Sequence, residues 1–209
     1  TIGVINWLHK NFDSLDNIVA GLVMTCVGDT GNMTYKKSRV KNSKIDKVVM
    51  HYLKHSKKHH NVLEYFPMGS DERQYCSPGI DLDMGSLMRT PYKQFKQYHT
   101  SDDNLSLMCA ESLQEIANAY IDIIEMLDRN KTYVNIKPWC EPMLSKHGLY
   151  RKIGAQKNGG LLEDSVRWVL NYSDGNHDLV DISNISNIDF SSIVLAANSL
   201  KDVKLLKEA

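Results

Sequence analysis

Apolar residues recur along this chain in two patterns. In residues 18–27 they are nearly continuous over strand length, reading Ile18-Val19-Ala20-Gly21-Leu22-Val23-Met24-Thr25-Cys26-Val27. Such a run predicts a strand buried on both faces, which favours an α/β sheet covered by helices. Further on, Leu113, Ile116, Ala117, Tyr120, Ile123, Ile124 and Leu127 recur at steps of three and four. That period predicts one long helix over about residues 106–130 with a single continuous buried face. Its polar side, with Glu111, Glu115, Asp122, Glu125 and Asp128, is expected in solvent. Between these two, Ile45, Val48, Val49, Tyr52 and Leu53 stand at helical spacing behind Ser43, a good N-cap. Residues 4–12 suit a short helix, and residues 61–66 and 85–90 read as strands.

Past residue 130 the pattern weakens. Pro138 and Pro142 exclude a regular helix, so residues 131–151 read as a connector, with Trp139 and Tyr150 expected to pin it to a neighbour. Residues 156–160 read as a turn. Residues 161–209 change texture. Leu162, Val166, Val169 and Leu170 suit a helix that ends at residues 173–176. A second, short helix fits residues 179–185. Asp189 can cap a third, whose inward positions are Phe190, Ile193, Val194, Ala197 and Leu200. Leu205-Leu206 can start a wing strand, so the tail predicts a compact winged-helix-like unit.

Charge narrows the function classes. Lys and Arg number 25 and Asp and Glu 25, so no global field favours nucleic acid or an anionic membrane. No apolar run approaches the roughly 20 residues of a membrane span, and no signal peptide is visible at the start. The four cysteines (Cys26, Cys76, Cys109, Cys140) show no CxxC pairing, which predicts reduced thiols in a cytoplasmic protein. The opening Thr1-Ile2-Gly3-Val4-Ile5 reads like the interior of a domain, so a fragment is expected. Residues 36–58 hold nine Lys or Arg against one acid, Asp46. A phosphate- or nucleic-acid-binding face and a solvated helix surface are both open there, the second favoured. His51, His55 and His59 share a stripe and are expected exposed, since no acid accompanies them.

Candidate chemistry concentrates in residues 69–104. Asp71-Glu72-Arg73-Gln74-Tyr75 packs two acids, an Arg, an amide and a phenol into five positions. Tyr98-His99-Thr100 lies beside Asp102 and Asp103, either of which can cap the long helix. Gly28-Asp29-Thr30-Gly31 breaks the first apolar run. It reads as a tight turn, or as a site loop at a strand's C-terminal end. It is not a phosphate loop, because no Gly-Lys-Ser/Thr follows.

Three phrases, Gly21-Leu22-Val23-Met24-Thr25-Cys26-Val27-Gly28-Asp29, Asp71-Glu72-Arg73-Gln74-Tyr75-Cys76-Ser77-Pro78-Gly79 and Tyr98-His99-Thr100-Ser101-Asp102-Asp103-Asn104, together resemble the bacterial and archaeal aminopeptidase-like domain proteins often labelled for polysaccharide biosynthesis. The resemblance covers nearly the whole chain, and such proteins carry a winged-helix-like tail. They are in turn distantly similar to zinc exopeptidases. The resemblance implies part of a three-layer α/β/α domain over residues 1–137, a connector over 138–160 and a winged-helix-like α+β domain over 161–209. It implies His99 as a zinc ligand, Asp71 near the catalytic water, and Glu72 beside it where the related enzymes have His. Arg73, Gln74 and Tyr75 would hold a substrate carboxylate or carbonyl. Zinc lowers the pKa of bound water and polarises a carbonyl. The remaining ligands would lie upstream, and Thr25 stands where an acid is expected, with Asp29 as the alternative donor. The implied activity is a zinc-dependent aminopeptidase-like hydrolase acting on a peptide or amide bond. The alternative is a catalytically inactive module that holds a peptide or amino sugar. Self-association is open. Nucleic-acid binding by the tail is disfavoured, because its third helix offers Asn198 and Lys201 but no Arg.

Overall fold

The deepest strands are not in the apolar run near the start of the chain. The structure, a computed structural model, describes residues 1–149 and 159–209. The expectations for Tyr150 and residues 156–158 lie outside these. The chain divides into two units, Thr1–Leu127 and Asp128–Ala209.

The first unit is built on a mixed four-stranded sheet. Its strands are β1 (Gly21–Met24), β2 (Met33–Lys36), β3 (His60–Leu63) and β4 (Met84–Met88), in the order β1-β4-β2-β3. β1 runs parallel to β4 and β2 to β3, while β2 and β4 are antiparallel. The expected strand over residues 18–27 shrinks to four residues at the sheet's border, and only Val23 is buried. Val19 and Met24 are exposed, at 61% and 57%. The strands buried on both faces are the inner ones, β2 and β4. β2 escaped sequence reading because its buried residues include Thr34 and Lys36. Gly85 is required in β4, since a Cβ there would sit 2.2 Å from the Tyr35 hydroxyl.

Four helices accompany the sheet: α1 (Ile2–Lys10), α2 (Lys44–His55), the single turn α3 (Glu72–Tyr75) and α4 (Ala110–Arg129). Ser43 caps α2, its hydroxyl accepting from the Asp46 N–H. Contrary to expectation His51 is buried, its ring against His55 at 4.3 Å. The long helix starts at Ala110 rather than near residue 106. Neither Asp102 nor Asp103 caps it. Asn104 instead caps a preceding 3-10 turn, Leu105–Leu107. The buried face of α4 is Ser112, Ile116, Ala119, Tyr120 and Ile123. Leu113 and Ile124, predicted inward, are exposed, as is Ile121.

The second unit holds an antiparallel sheet in the order β6-β5-β7, from β5 (Thr132–Asn135), β6 (Asp174–Asp178) and β7 (Leu206–Glu208). Its helices are α5 (Gly159–Tyr172), α6 (Leu179–Ser186) and α7 (Phe190–Asp202). Two of its strands were not legible. β5 falls in the segment read as a connector, where Leu144 is also buried. β6 is Asp174-Gly175-Asn176-His177-Asp178, a turn-like composition held by main-chain pairing to β5. Trp139, expected to pin the connector, is 87% exposed. The helix ends follow their caps. Asp178 and Asp181 form a capping box on α6, and Asp189 accepts from the Ser192 N–H on α7. Among the described residues no helix is long and apolar enough to cross a membrane.

Candidate functional site

The first unit encloses a cavity of about 620 Å³ where β1 ends. Its floor is the loop Thr25, Cys26, Val27, Gly28 and Asp29. β4 fastens this loop. Arg89 N–H donates to the Cys26 carbonyl at 2.9 Å, and the Thr90 hydroxyl donates to Asp29 Oδ1 at 2.7 Å. Asp29 Oδ1 also accepts from Gly31 N–H at 2.6 Å. Asp29 therefore closes the turn and lines the cavity at once. Burial pushes the Cys26 thiol up, so the neutral thiol faces the space.

The one-turn helix α3 splits the acidic cluster. Asp71 and Arg73 line the cavity. Asp71 Oδ1 is 2.9 Å from the main-chain nitrogen of Thr1, and Arg73 reaches the Thr1 hydroxyl at 3.5 Å. Glu72 turns the other way. It is fully buried, its Oε1 2.8 Å from Lys36 Nζ, which is buried as completely. Lys36 also donates to the Met68 carbonyl (2.6 Å) and the Tyr92 hydroxyl (3.2 Å), with the Phe66 ring at 4.0 Å. Glu72 Oε1 accepts from Ser70 N–H at 3.2 Å, and Glu72 Oε2 has no hydrogen-bond partner. This pair secures the segment that presents Asp71. Gly69 is needed there. Its φ is +141°, and a Cβ would meet the Tyr92 hydroxyl at 2.2 Å and Glu72 Oε1 at 2.3 Å. Gln74 and Tyr75 are outside the cavity wall. Tyr75 packs edge-on to Trp7 of α1, rings 6.3 Å apart, against a core of Val4, Leu8, Leu15 and Leu82.

His99 enters from the other stretch. It sits exposed in a left-handed conformation, φ 59°, stacked on Tyr98 with centroids 4.0 Å apart. Tyr98 meets Phe95 edge-on, and with Tyr92 these rings form an aromatic side of the cavity. Burial, and then the Glu72 carboxylate, push the Tyr92 hydroxyl up, which keeps it a donor. The structure thus brings together Asp71, Arg73, His99 and Asp29 and sets Glu72, Gln74 and Tyr75 apart. Among the described residues no three His, Cys, Asp or Glu side chains converge closely enough to hold a metal ion. Taken alone, these donors do not fit zinc.

Three supporting residues were missed in the sequence. Lys36 was hidden in a basic run, and Tyr92 carried no motif. Arg89 is buried and donates to the Gly31 carbonyl (2.8 Å), the Ser112 carbonyl and Glu115 Oε2 (both 2.7 Å). Glu115, expected in solvent, is held below the usual carboxylate range by Lys58 and Arg89.

A family model described as a domain of unknown function, DUF4910, matches residues 1–130. The chain belongs to that family. A second model, described as winged helix-turn-helix, matches residues 131–208, in agreement with the α-helices and small sheet among the described residues of the second unit. A Clostridium acetobutylicum protein named "Putative polysaccharide biosynthesis protein with aminopeptidase-like domain" is 46% identical over 207 residues, which are 99% of this chain and 48% of the relative. A crystal structure described as a "putative peptidase" from Clostridium acetobutylicum superposes with a TM-score of 0.85 at 44% identity. It covers 100% of this chain and 46% of its own. The DUF4910 chain therefore spans about half the length of these relatives.

Proposed function

We propose that Thr1–Leu127 is the substrate-binding side of an aminopeptidase-like hydrolase, within a zinc-exopeptidase-like three-layer fold, acting on a peptide or amide bond. The supporting observation is one cavity lined by Asp71, Arg73 and His99, drawn from two separate stretches. The chemistry of the lining suits a short peptide. Arg73 offers a planar fork for a carboxylate or carbonyl oxygen. Asp71 offers a carboxylate for an amine. Tyr92, Phe95 and Tyr98 offer ring faces to an apolar side chain. Zinc would need donors additional to His99, which the described residues of this chain do not assemble.

One observation favours a second reading, a non-catalytic module that holds a peptide or amino sugar. Thr25 stands on the cavity floor where an acid ligand was expected, and the described donors do not assemble a metal site. Titration of the chain with alanyl-alanine and with glucosamine, followed by NMR, tests the ligand class. The dipeptide is expected to shift the His99 ring and Arg73 side-chain signals along one saturation curve. Glucosamine shifting them instead would favour the module, and no shift with either would remove both readings. Separately, zinc titration is expected to show no stoichiometric uptake by the 209-residue chain. Stoichiometric uptake lost in His99→Ala would show that its own donors suffice.

A further inference from the structure

The two borders of the first sheet differ in kind. β3 is flanked by Lys57, Lys58 and Glu64, charges that discourage pairing with another strand. β1 has no such guard, because residues 18–28 carry no charge. Gly21 N–H donates toward the β4 side, to the Asp83 carbonyl. By alternation the N–H groups of Leu22 and Met24 point to the outer side, where among the described residues the sheet ends.

A helix flank accompanies this open border. The Tyr120 hydroxyl reaches the Val23 and Leu87 carbonyls at 2.9 and 2.7 Å, which sets α4 over the β1–β4 pair. On one side of its buried stripe lie Glu111, Glu115 and Asp122, sharing a groove with Tyr52 and Lys58 at the α2 side. On the other side lie Leu113, Ile121 and Ile124, all exposed. At 100° per residue these fall on a single flank, turned away from α2 and so toward the outer side of β1. Leu113 also lines the cavity, as do Thr25, Cys26 and Val27 just past β1. The uncharged border, the apolar flank and the cavity mouth are therefore one continuous surface.

We infer that this surface docks the other half of the family polypeptide, which adds a strand to the outer edge of β1 and lays apolar side chains against Leu113, Ile121 and Ile124. The length of the relatives points to this occupant, since both match this chain with less than half of their own residues. An added strand would end beside Thr25 and Cys26, and would complete the cavity wall from outside this chain. That last consequence rests on the proposed site, whereas the docking itself does not.

Co-expression of this chain with the unmatched half of the Clostridium acetobutylicum protein tests the inference. The two are expected to co-purify at equal stoichiometry, with exchange of the Leu22 and Met24 amides slowed at least a hundredfold. Ile121→Asp combined with Ile124→Asp is expected to abolish co-purification with the circular dichroism of the chain unchanged. Asp122→Asn, on the α2 side of α4, should leave it intact. Co-purification that survives the double change would overturn the proposal, as would a wild-type chain that instead dimerises through the same residues. Should the separate half not fold, hydrogen exchange on the intact relative decides. Fast exchange at the amides matching Leu22 and Met24 would overturn the docking, while the dipeptide titration would still report on the site.

Discussion

Asp71 and Arg73 leave α3 on one side, Glu72 and Tyr75 on the other, and the two pairs meet opposite surroundings. The first pair lines a cavity, with Asp71 and Arg73 both beside Thr1. The second faces inward, where Glu72 meets Lys36 and Tyr75 meets Trp7. One turn of helix thus divides residues that look equivalent in sequence into a cavity-lining pair and an inward-packed pair. The lesson is that an acid beside an acid need not share its job. Burial decides, because a carboxylate with no access to water is stable only beside a matching cation and donors.

This contrast can be broken most sharply at Glu72. Glu72→Ala leaves the Lys36 ammonium buried without its partner, and urea unfolding should show a loss of about 3–5 kcal/mol. Replacing both, with Lys36→Met and Glu72→Leu, should recover most of that loss. A loss under about 1 kcal/mol for Glu72→Ala would deny the inward pair its structural role. Tyr75→Ala comes next, at about 2 kcal/mol, because its ring is only partly buried against α1. The outward pair should barely register. Asp71→Asn and Arg73→Gln are each expected to stay within about 0.5 kcal/mol of the parent in the same assay. Their effect should be on ligand binding, with dipeptide affinity in the titration falling about tenfold, a loss of about 1.4 kcal/mol.

How much of this was legible varied with the source of the signal. Periodic burial showed through, as in α2 and α7, whose caps Ser43 and Asp189 and apolar spacing agree with the structure, and as in the short helix α6. Strands held by main-chain pairing did not, since β6 has no apolar side chain in its five residues. The long apolar run misled for a related reason. It marks a sheet border that leaves Val19 and Met24 exposed rather than a core strand. On α4 the apolar period was wider than the face the sheet could cover, so Ile124 was placed inward although it lies in solvent. In the candidate site, residue types pointed to two stretches that meet at one cavity but not to the directions of the side chains. His99, Asp71 and Arg73 line one cavity. The role of Lys36 depended on a contact thirty-six residues away, which no local pattern encodes.

Two stretches separated in sequence, one with Asp71 and Arg73 and one with His99, are proposed to act as one binding site. A double-mutant cycle on dipeptide binding, with Arg73→Gln, His99→Ala and both together, tests it directly. Residues that grip one ligand in one cavity should be coupled, and the double variant should depart from additivity by more than about 0.5 kcal/mol. Strict additivity, or full dipeptide affinity in the double variant, would contradict it.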